Sequence, residues 1–434
     1  MAKDGISVGI IGFGTVGTGA ARILLENADL LRQRLGFPVR LKRIADIDTK
    51  KDRGITLPKG MLRADANEVL NDPEIDIVAE LIGGTRPARD FIVGAIRNKK
   101  HVVTANKALL AIEGNAIFKE ALRNGVQVGF EASVAGGIPI IKVIREGLIA
   151  NRILSIYGII NGTSNYILTK MTDEGLEFDR ALKEAQRLGY AEADPTFDIE
   201  GIDSAHKLTI LASLAYGIPL SFDKVYKEGI TRITPQDIEF AGELGYKIKL
   251  LAIAKCADKK VELRVHPTML PKDYLISKVD GVFNAIYVEG DAVGDTLYYG
   301  RGAGDMPTGS AVVSDICDIA KNMMSNAKGT PVFFTKTALR VKDITEIESM
   351  YYFRFSALDK PGVLSKISGI LGKNNISIAS VIQKGRRVGE AVPLVILTHG
   401  AKEKDILKAI AGIDRLPVLA APTRYIRVEG PETG

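Results

Sequence analysis

The sequence predicts an α/β protein of several domains, and three observations support that prediction. The first third of the chain alternates strand-like and helix-like segments, beginning with the apolar run at 6–11 and the helical periodicity at 16–35. The middle of the chain loses this alternation and has the mixed order of an α+β domain. The segment 351–428 shows the order βαββαβ, that of a ferredoxin-like unit. We therefore expect a doubly wound parallel sheet, an α+β domain and a small terminal domain.

Length and apolar content bound the number of hydrophobic cores. A chain of 434 residues with 46% hydrophobic residues is too long for one core, so two or three domains are expected. No apolar run reaches the ~18 residues of a membrane span, and the first residues lead into a strand without the features of a signal peptide. The sequence therefore predicts a cytoplasmic protein without a membrane partner.

Charge and cysteine content argue against several classes of protein. The net charge of +6 comes from 58 basic and 52 acidic residues spread along the chain, with no basic run interleaved with aromatic residues. Nucleic acid is therefore not expected as a partner. Cys256 and Cys317 are far apart and in no metal-ligand spacing, which argues against a disulfide framework and against a zinc cluster.

The first domain is predicted to span 1–134 and to be completed by a helix near 308–324. Its predicted strands are 6–11, 39–46, 75–82, 101–106 and 126–134. Its predicted helices are 16–35, 87–100 and 107–125. Strands that alternate with helices in this way form a parallel sheet with helices on both faces, which is the Rossmann architecture.

The rest of the chain divides into a second domain at 135–307, a linker at 325–350 and a terminal domain at 351–430. The second domain has a predicted helix at 138–149 and predicted strands at 153–161, 247–256 and 260–270. The terminal domain has predicted strands at 351–359, 376–386, 390–400 and 418–428 and predicted helices at 361–375 and 402–413.

A glycine-rich turn follows the first predicted strand and opens the first predicted helix. Its spacing G-x-G-x-x-G lets the chain turn tightly and lets backbone N–H groups approach a pyrophosphate at a helix N-terminus. The cofactor contacts expected in this turn are Gly12, Phe13, Gly14, Thr15, Val16 and Gly17. The pattern indicates a dinucleotide cofactor.

The choice between NAD and NADP stays open in the sequence. Asp46 lies at the end of the second predicted strand, where an acidic residue binds the ribose hydroxyl groups of NAD. Four basic residues nearby could instead accept the 2′-phosphate of NADP. They are Arg43, Lys50, Lys51 and Arg53.

A block of acidic residues leads into an apolar helical segment at 189–210. Its carboxylates are Glu192, Asp194, Asp198, Glu200 and Asp203, and no basic residue interrupts them before Lys207. Asp203 and Lys207 stand four apart, so on a helix their side chains share one face. An ordinary helix ion pair worth ~0.3 to 0.5 kcal/mol would explain that pair alone. A mixed surface normally alternates signs, however, and this block indicates a site.

Lys107 follows a predicted strand of the parallel sheet. The segments ELIGG (80–84) and VVTANK (102–107) both end in glycine or polar residues at the expected carboxyl ends of their strands. Ligands bind at that edge of an open α/β sheet. Lys107 is therefore expected near the nicotinamide or the substrate, and a solvated lysine in a first helical turn is the alternative.

Seven motifs together resemble those of homoserine dehydrogenase, over about residues 5–325. They are GFGTVG (12–17), AELIGG (79–84), TANK (104–107), EASVAGGIP (131–139), NGTSNYIL (161–168), GYAEADPTFDIEGIDSAHKL (189–208) and GAGDMPTG (302–309). The segment LDKPGVLSKI (358–367) makes the terminal domain similar to an ACT domain, a small-molecule sensing unit common in amino-acid metabolism.

The resemblance implies reversible reduction of L-aspartate 4-semialdehyde to L-homoserine with NADH or NADPH. This step belongs to the biosynthesis of threonine, methionine and isoleucine. The resemblance makes Lys207 the catalytic lysine and Lys107 a second important lysine, close to the cofactor. It places substrate contacts at Glu192 and Asp203, and the chemistry of the acid block adds Asp198 as a partner for the α-ammonium group of the substrate.

The resemblance also implies a sodium or potassium ion near the domain hinge. Its ligands transfer to Glu131, Val134, Gly136 and Ile138, the last three through backbone oxygens, which are suitable donors for a hard cation. Gly302 joins the expected cofactor contacts. The second domain becomes the substrate-binding and oligomerisation domain of a homodimer or homotetramer. Threonine is the first effector to expect at the ACT-like domain.

The role of Lys207 agrees with the chemistry of the reaction. Reduction of an aldehyde needs a hydride and a proton for the developing alkoxide, and a cationic lysine can stabilise that charge and donate the proton. His206 projects about 100° away from Lys207 around a helix and is interpreted as structural.

Two other hypotheses remain from the sequence. One is a semialdehyde dehydrogenase with a cysteine nucleophile, although Cys256 and Cys317 lie in apolar strand-like and helical segments rather than in a loop beside a base. The other is an amino-acid sensor that binds nucleotide without turnover.

Overall fold

The computed structural model describes residues 3–327, 329, 338–384 and 390–430. Its strands are β1 (Ile6–Ile11), β2 (Val39–Ala45), β3 (Leu62–Arg63), β4 (Ile77–Glu80), β5 (His101–Thr104), β6 (Val128–Gly129), β7 (Ile153–Ile159), β8 (Tyr226–Lys227), β9 (Tyr246–Ala257), β10 (Lys260–Pro271), β11 (Phe283–Gly290), β12 (Gly294–Arg301), β13 (Arg340–Val341), β14 (Glu348–Leu358), β15 (Ile378–Gln383), β16 (Ala391–Thr398), β17 (Ala401–Lys402) and β18 (Leu419–Val428). Its α-helices are α1 (Thr15–Glu26), α2 (Ala28–Leu35), α3 (Asn67–Leu70), α4 (Ala88–Arg97), α5 (Lys107–Asn124), α6 (Ile140–Lys142), α7 (Gly162–Glu174), α8 (Phe178–Arg187), α9 (Thr196–Ile199), α10 (Ile202–Tyr216), α11 (Pro235–Glu243), α12 (Asp305–Met324), α13 (Val363–Lys373) and α14 (Glu403–Ile413).

The chain forms two compact units. Unit 1 contains the described residues of the segments 1–162, 203–225 and 283–338, and unit 2 contains those of the segments 163–202, 226–282 and 339–434. The domain boundaries expected from the sequence stay a prediction. Among the described residues, no helix combines the length and the apolar character that crossing a membrane requires.

Unit 1 contains the doubly wound sheet. Its strand order is β3-β2-β1-β4-β5-β6, and every neighbouring pair is parallel. The winding direction reverses between β1 and β4, and such a switch point is where sheets of this class bind ligands. The sheet confirms the predicted Rossmann architecture.

The core of unit 1 packs β1 against helices α1 and α12. Ile10 and Val312 belong to the same buried apolar cluster. The two helices approach closely because α1 carries a glycine at the contact, where a Cβ at Gly19 would lie 2.1 Å from the backbone oxygen of Asp305. The helix expected near 308–324 is therefore part of this core.

Unit 1 differs from the sequence predictions in several elements. The helix expected at 16–35 is divided into α1 and α2 at Asn27. The strand expected at 126–134 stops after β6, since the N–H group of Glu131 donates to the Asp315 carboxylate at 2.7 Å. The sequence does not predict the hairpin β11–β12, which pairs antiparallel with β7. The helix expected at 138–149 is α6 followed by a π-helical turn at Val143–Gly147.

Unit 2 contains a sheet with the strand order β9-β10-β18-β14-β16-β15. Strands β14, β15, β16 and β18 and helices α13 and α14 follow one another along the chain in the order βαββαβ, which confirms the predicted ferredoxin-like domain. The helices pack on this sheet through an apolar cluster that includes Phe353, Ile367 and Ile406. β18 also runs parallel to β10, with Thr268 opposite Arg427. The expected linker at 325–350 lies partly outside the described residues, and its described part includes β13.

Buried ion pairs join the terminal strand β18 to α14, and the residue after β18 to β10, inside unit 2. Arg427 lies 2.5 Å from Glu403, and Arg264 lies 2.6 Å from Glu429. Burial alone would raise the pKa of Glu429, but the charges of Arg264 and Lys255 outweigh it and lower this pKa to about 2. Loss of one member of a buried pair leaves the other charge uncompensated, at a cost of about 3 to 5 kcal/mol.

Candidate active site

Lys207 and Asp203 form a buried ion pair on α10. The residues are four apart, so both side chains lie on one face of the helix. Lys207 Nζ is 2.7 Å from Asp203 Oδ2, and the two side chains are 10% and 6% exposed. An exposed pair of this spacing contributes only ~0.3 to 0.5 kcal/mol. The Lys207–Asp203 pair is held away from solvent, which makes its geometry far more constrained.

Lys107 brings a second ammonium group to the same carboxylate. It is the first residue of α5, and its Nζ lies 2.9 Å from Asp203 Oδ1, in an ionic contact rather than an aligned hydrogen bond. Its side chain is 42% exposed. Burial alone would raise the pKa of Asp203, but Lys207 and Lys107 outweigh it and hold this pKa well below its ordinary value. One ionised carboxylate therefore bridges two ammonium groups.

The end of β7 contacts both members of the buried pair. The backbone oxygen of Ile160 accepts a hydrogen bond from Lys207 Nζ at 2.6 Å. The next residue, Asn161, donates from its side-chain amide to Asp203 Oδ2 at 2.9 Å. The sequence alone predicts no role for Ile160 or Asn161. The available signal is the position of Asn161, which is the last residue of the predicted strand 153–161 and opens the motif NGTSNYIL.

Glu80 organises the carboxyl ends of β4 and β5. Thr104 Oγ1 donates to Glu80 Oε2 at 2.8 Å, and the N–H group of Ile82 donates to Oε1 at 2.9 Å. Burial raises the pKa of Glu80 despite these hydrogen bonds. Asn106 caps the N-terminus of α5 with its side chain and so fixes the position of Lys107 directly after it. The polar residues that the sequence predicts at this edge thus form one connected group.

The turn between β1 and α1 has glycine where the backbone requires it. Gly12 has a φ of +101°, and a Cβ at Gly17 would lie 2.0 Å from the backbone oxygen of Gly12. A Cβ at Gly14 would meet no atom within 4 Å. Helix α1 starts at Thr15 without a side-chain cap, and the first N–H groups of a helix have no partner inside it. This is the geometry that a pyrophosphate group needs.

Asp46 and Arg53 flank the same turn. Asp46 follows β2, and its Oδ2 accepts a hydrogen bond from the N–H group of Phe13 at 2.6 Å. Arg53 lies over the Phe13 ring at 4.8 Å, and its Nη2 is 3.2 Å from Asp46 Oδ1. The guanidinium therefore offsets the charge of the acid that was predicted to bind the ribose.

The loop predicted to bind an alkali cation is buried and turns sharply. Ala135 and Gly136 have φ values of +55° and +50°, and a Cβ at Gly136 would lie 2.5 Å from the backbone oxygen of Gly302. Val134 and Ile138 are buried as well. Among the described residues, no cluster of three or more His, Cys, Asp or Glu side chains could hold a metal ion. Backbone oxygens are a suitable type of ligand for a hard cation.

The side chain of Glu131 has another partner. Its carboxylate accepts hydrogen bonds from the N–H groups of Ile141 at 2.8 Å and Lys142 at 2.9 Å, at the start of α6. Burial, with a contribution from Asp315, raises the pKa of Glu131 to about 7. Both oxygens of the Glu131 carboxylate are therefore already hydrogen-bonded to backbone N–H groups.

Glu192 and Asp198 belong to unit 2, Glu192 on the loop before α9 and Asp198 within α9, and hydroxyl groups of α7 hold this segment. Thr163 Oγ1 donates to the backbone oxygen of Tyr190 at 2.6 Å, and Ser164 Oγ donates to that of Asp198 at 2.8 Å. Glu192 is exposed and Asp198 is half-buried. The loop thus presents one of the two predicted acids to solvent on a fixed backbone.

Comparison with known proteins identifies the family. Family profiles match for the NAD-binding domain of homoserine dehydrogenase at 12–131, for homoserine dehydrogenase at 139–317 and for the ACT domain at 351–415. The homoserine dehydrogenase of Pseudomonas aeruginosa is 50% identical, over 98% of this chain and 99% of its own. That of Neisseria gonorrhoeae is 49% identical, over 98% of both chains. The chain belongs to the homoserine dehydrogenase family.

Solved homoserine dehydrogenases share the fold. A crystal structure of the enzyme from Thiobacillus denitrificans has 50% sequence identity and a TM-score of 0.92, covering 98% of both chains. The S. aureus enzyme has 35% identity and a TM-score of 0.77, covering 98% of this chain and 99% of that one. A hyperthermophilic archaeal homoserine dehydrogenase in complex with NADPH has 26% identity and a TM-score of 0.61, covering 72% and 97%.

The family defines the activity. The protein is an NAD(P)-dependent oxidoreductase that interconverts L-homoserine and L-aspartate 4-semialdehyde in amino-acid biosynthesis, with a C-terminal ACT domain. The resemblance inferred from the sequence motifs is confirmed. The hypotheses of a cysteine-dependent dehydrogenase and of a sensor without turnover are set aside.

Proposed function

We propose that Lys207 donates the proton to the carbonyl oxygen in aldehyde reduction and removes it from the hydroxyl group in homoserine oxidation. The buried contact between Lys207 and Asp203 carries this proposal. An ammonium group fixed in a desolvated site can stabilise a developing alkoxide and protonate it. The nicotinamide cofactor supplies the hydride chemistry when it is bound.

Asp203 and Lys107 complete the proposed catalytic group. Asp203 orients the Lys207 ammonium and also contacts the substrate. Lys107 adds positive charge at the carboxyl edge of the sheet, where cofactor and substrate are expected. Its proposed role is supported by the contact with Asp203 Oδ1 and by its more exposed position.

Glu192 and Asp198 are proposed to bind the α-ammonium group of the substrate. Carboxylates are the natural partners of an ammonium group, and charge-assisted hydrogen bonds are the stronger kind. The exposure of Glu192 and the hydroxyl contacts that hold its loop support this role. Replacement of either carboxylate by the corresponding amide, Glu192→Gln or Asp198→Asn, should then raise KM for homoserine more than it lowers kcat.

The glycine-rich turn is proposed to hold the cofactor, together with Asp46, Lys107 and Gly302. The open position at Gly14 and the uncapped start of α1 support pyrophosphate binding there. Because Arg53 offsets the charge of Asp46, we expect NADPH to be accepted as well as NADH. Kinetics with both cofactors, side by side on the semialdehyde, test this expectation.

A sodium or potassium ion is proposed in the loop of Glu131, Val134, Gly136 and Ile138. Its backbone oxygens would hold the ion, which would stiffen the loop that follows β6. The buried turn and the bare Gly136 support a small hard cation at this position. Thermal unfolding in buffers that contain tetramethylammonium, sodium or potassium as the cation tests it without using activity. Equal melting temperatures in all three buffers would count against the ion.

An amino-acid effector is proposed for the ACT domain, with threonine as the first candidate. The ferredoxin-like order of β14 to β18 supports a sensing module of that type. Homoserine oxidation measured against threonine concentration tests it. A homodimer or homotetramer is proposed for the enzyme, to be measured by light scattering, and the expected cytoplasmic location stays a prediction.

Substitution of Lys207 tests the proposed mechanism. We expect Lys207→Met to lower kcat in both directions by on the order of 10² to 10⁴, because a general acid or base contributes that much. NADPH affinity should change little. Lys249→Met is a matched control, since Lys249 is a 2% exposed lysine that lies 2.7 Å from Asp280 in unit 2. It should lower stability and spare kcat. A near-normal kcat in Lys207→Met would remove this lysine from the mechanism.

A further inference from the structure

Asn161 is a buried amide at the catalytic ion pair. It follows β7 and precedes α7, and it is 5% exposed. Buried amides normally satisfy backbone groups, as Asn165 does one helical turn later by donating to the backbone oxygens of Val279 and Gly281. Asn165 also accepts from Lys249 Nζ at 3.1 Å. The side-chain amide of Asn161 donates to the Asp203 carboxylate at 2.9 Å. It thus contacts the acid that holds Lys207.

Two consecutive residues, Ile160 and Asn161, each form a hydrogen bond with one member of the Lys207–Asp203 pair. Asn161 holds Oδ2 of Asp203, and the backbone oxygen of Ile160 holds Nζ of Lys207. The same Oδ2 accepts from Lys207 at 2.7 Å. Because β7 is a strand of an antiparallel sheet in unit 1, its end is a rigid reference for both side chains. The position of the ammonium is therefore set from two sides, by the helix and by the strand end.

The chemistry of an amide suits this place. An asparagine donates a hydrogen bond without adding charge, so it fixes the carboxylate without competing with Lys207 for its charge. A lysine or arginine here would repel the ammonium groups of Lys207 and Lys107. An aspartate would bring a second carboxylate beside Asp203 and hold the proton on Lys207 more strongly. The neutral donor lets the pair remain both fixed and reactive.

We propose that Asn161 is a positioning residue for the proton transfer, acting through Asp203 on Lys207. This inference rests on the proposed role of Lys207. The amide fixes the rotation of the Asp203 carboxylate, and this rotation fixes the position of the Lys207 ammonium group. Misplacement of a reacting group by about 1 Å can cost on the order of 10² in rate.

Two variants of Asn161 test the proposal through separate readouts. Asn161→Ala removes the donor, and we expect kcat to fall about 10- to 100-fold while the affinity for NADPH, measured by fluorescence, stays within about twofold. Asn161→Asp keeps the size of the side chain and adds a negative charge. Its added carboxylate should move the ascending limb of kcat for homoserine oxidation to higher pH, by about 1 unit. Asn161→Ser retains a small donor and serves if the first two variants do not fold.

Asn165 offers the matched control. Asn165→Ala and Asn165→Asp remove a buried amide of the same motif, so they should lower stability comparably and leave the pH profile of kcat in place. If the Asn161 variants keep the wild-type kcat and pH profile in folded protein, the positioning role is overturned. The same follows if Asn165→Ala lowers kcat as much as Asn161→Ala. An active Lys207→Met would instead overturn the proposed mechanism, whereas an inactive one beside normal Asn161 variants overturns this inference alone.

Discussion

Removal of the charge of Asp203 is the sharpest test of the site. Asp203→Asn keeps the shape of the side chain and leaves the Lys207 and Lys107 ammonium groups without their shared counter-charge. On the proposed mechanism Lys207 must carry its proton in aldehyde reduction, so activity should be present at low pH and be lost as the pH rises through the pKa of this lysine. In homoserine oxidation Lys207 must be neutral, so activity appears as the pH rises through the same value. Loss of the carboxylate should lower the pKa of Lys207. The descending limb of the pH profile for reduction and the ascending limb for oxidation should therefore both move to lower pH.

The size of the shift can be worked from the geometry. Lys207 Nζ is 2.7 Å from the carboxylate and its side chain is 10% exposed, so little solvent screens this contact. Breaking a buried pair by removing one partner costs about 3 to 5 kcal/mol. At about 1.4 kcal/mol per pH unit, this energy range corresponds to an upper bound of about 2 to 4 pH units on the shift of the two limbs. Lys107 is 42% exposed, and we discount its contribution for screening. Because the protein around a buried charge can also rearrange, we expect both limbs to move by about 1 to 3 pH units.

The assay is kcat against pH in both directions, at saturating substrate. Asp280→Asn is the matched control because Asp280 lies 2.7 Å from the buried Lys249 in unit 2. The control should lower the melting temperature and leave both limbs in place. If Asp203→Asn also changed stability alone, with both limbs unmoved, the Lys207–Asp203 contact would be an ordinary ion pair. A shift of the two limbs in opposite directions would show that more than one group controls them.

Two further predictions concern the cofactor turn and the buried charges of unit 2. Gly14→Ala should keep the melting temperature and weaken NADPH binding at least about tenfold, since its Cβ meets no protein atom but enters the space where backbone must approach the pyrophosphate. Gly17→Ala should lower stability as well, because its Cβ would lie 2.0 Å from a backbone oxygen, and equal melting temperatures of the two variants would contradict this account. The pKa of Glu429 is lowered to about 2, so its contribution to stability, about 3 kcal/mol, is complete above about pH 4.5 and is lost as the pH falls toward 2. Glu429→Gln should therefore melt lower than the parent at pH 7, with a difference that shrinks below pH 4; a constant difference would be evidence against the assignment.

Local patterns predicted much of the fold. The periodicities of the first third and of 351–428 are short-range signals, and they anticipate the parallel sheet and the ferredoxin-like order. The pairing of β18 with β10 joins segments far apart in the chain, and no local pattern encodes it. The hairpin β11–β12 was missed for a different reason. Its outer strand is largely exposed, so apolar alternation there is weak.

The candidate site shows the same division. The contact of Asp203 with Lys207 follows from a spacing of four on one helix, which a sequence displays directly. The strand-end argument anticipates that Lys107 lies at the ligand edge, but it does not show which carboxylate Lys107 meets. The sequence shows Arg53 only as one of four basic residues near Asp46. Its position over the Phe13 ring depends on the path of the loop after β2, which no local pattern predicts. Asn161 is missed because a lone asparagine after a strand is common.

The charges of the catalytic group suggest why two lysines share one acid. Asp203 stays ionised because its pKa is held well below the ordinary value, so together with protonated Lys207 and Lys107 the group carries a net charge of +1. An aldehyde oxygen is neutral and an alkoxide carries −1, so this group is matched to the charge that develops during reduction rather than to the substrate. Without Asp203 the group would carry +2, and the repulsion between the two ammonium groups would make Lys207 bind its proton less strongly. On the proposed roles, the acid is what keeps the proton available on Lys207 until the oxygen needs it.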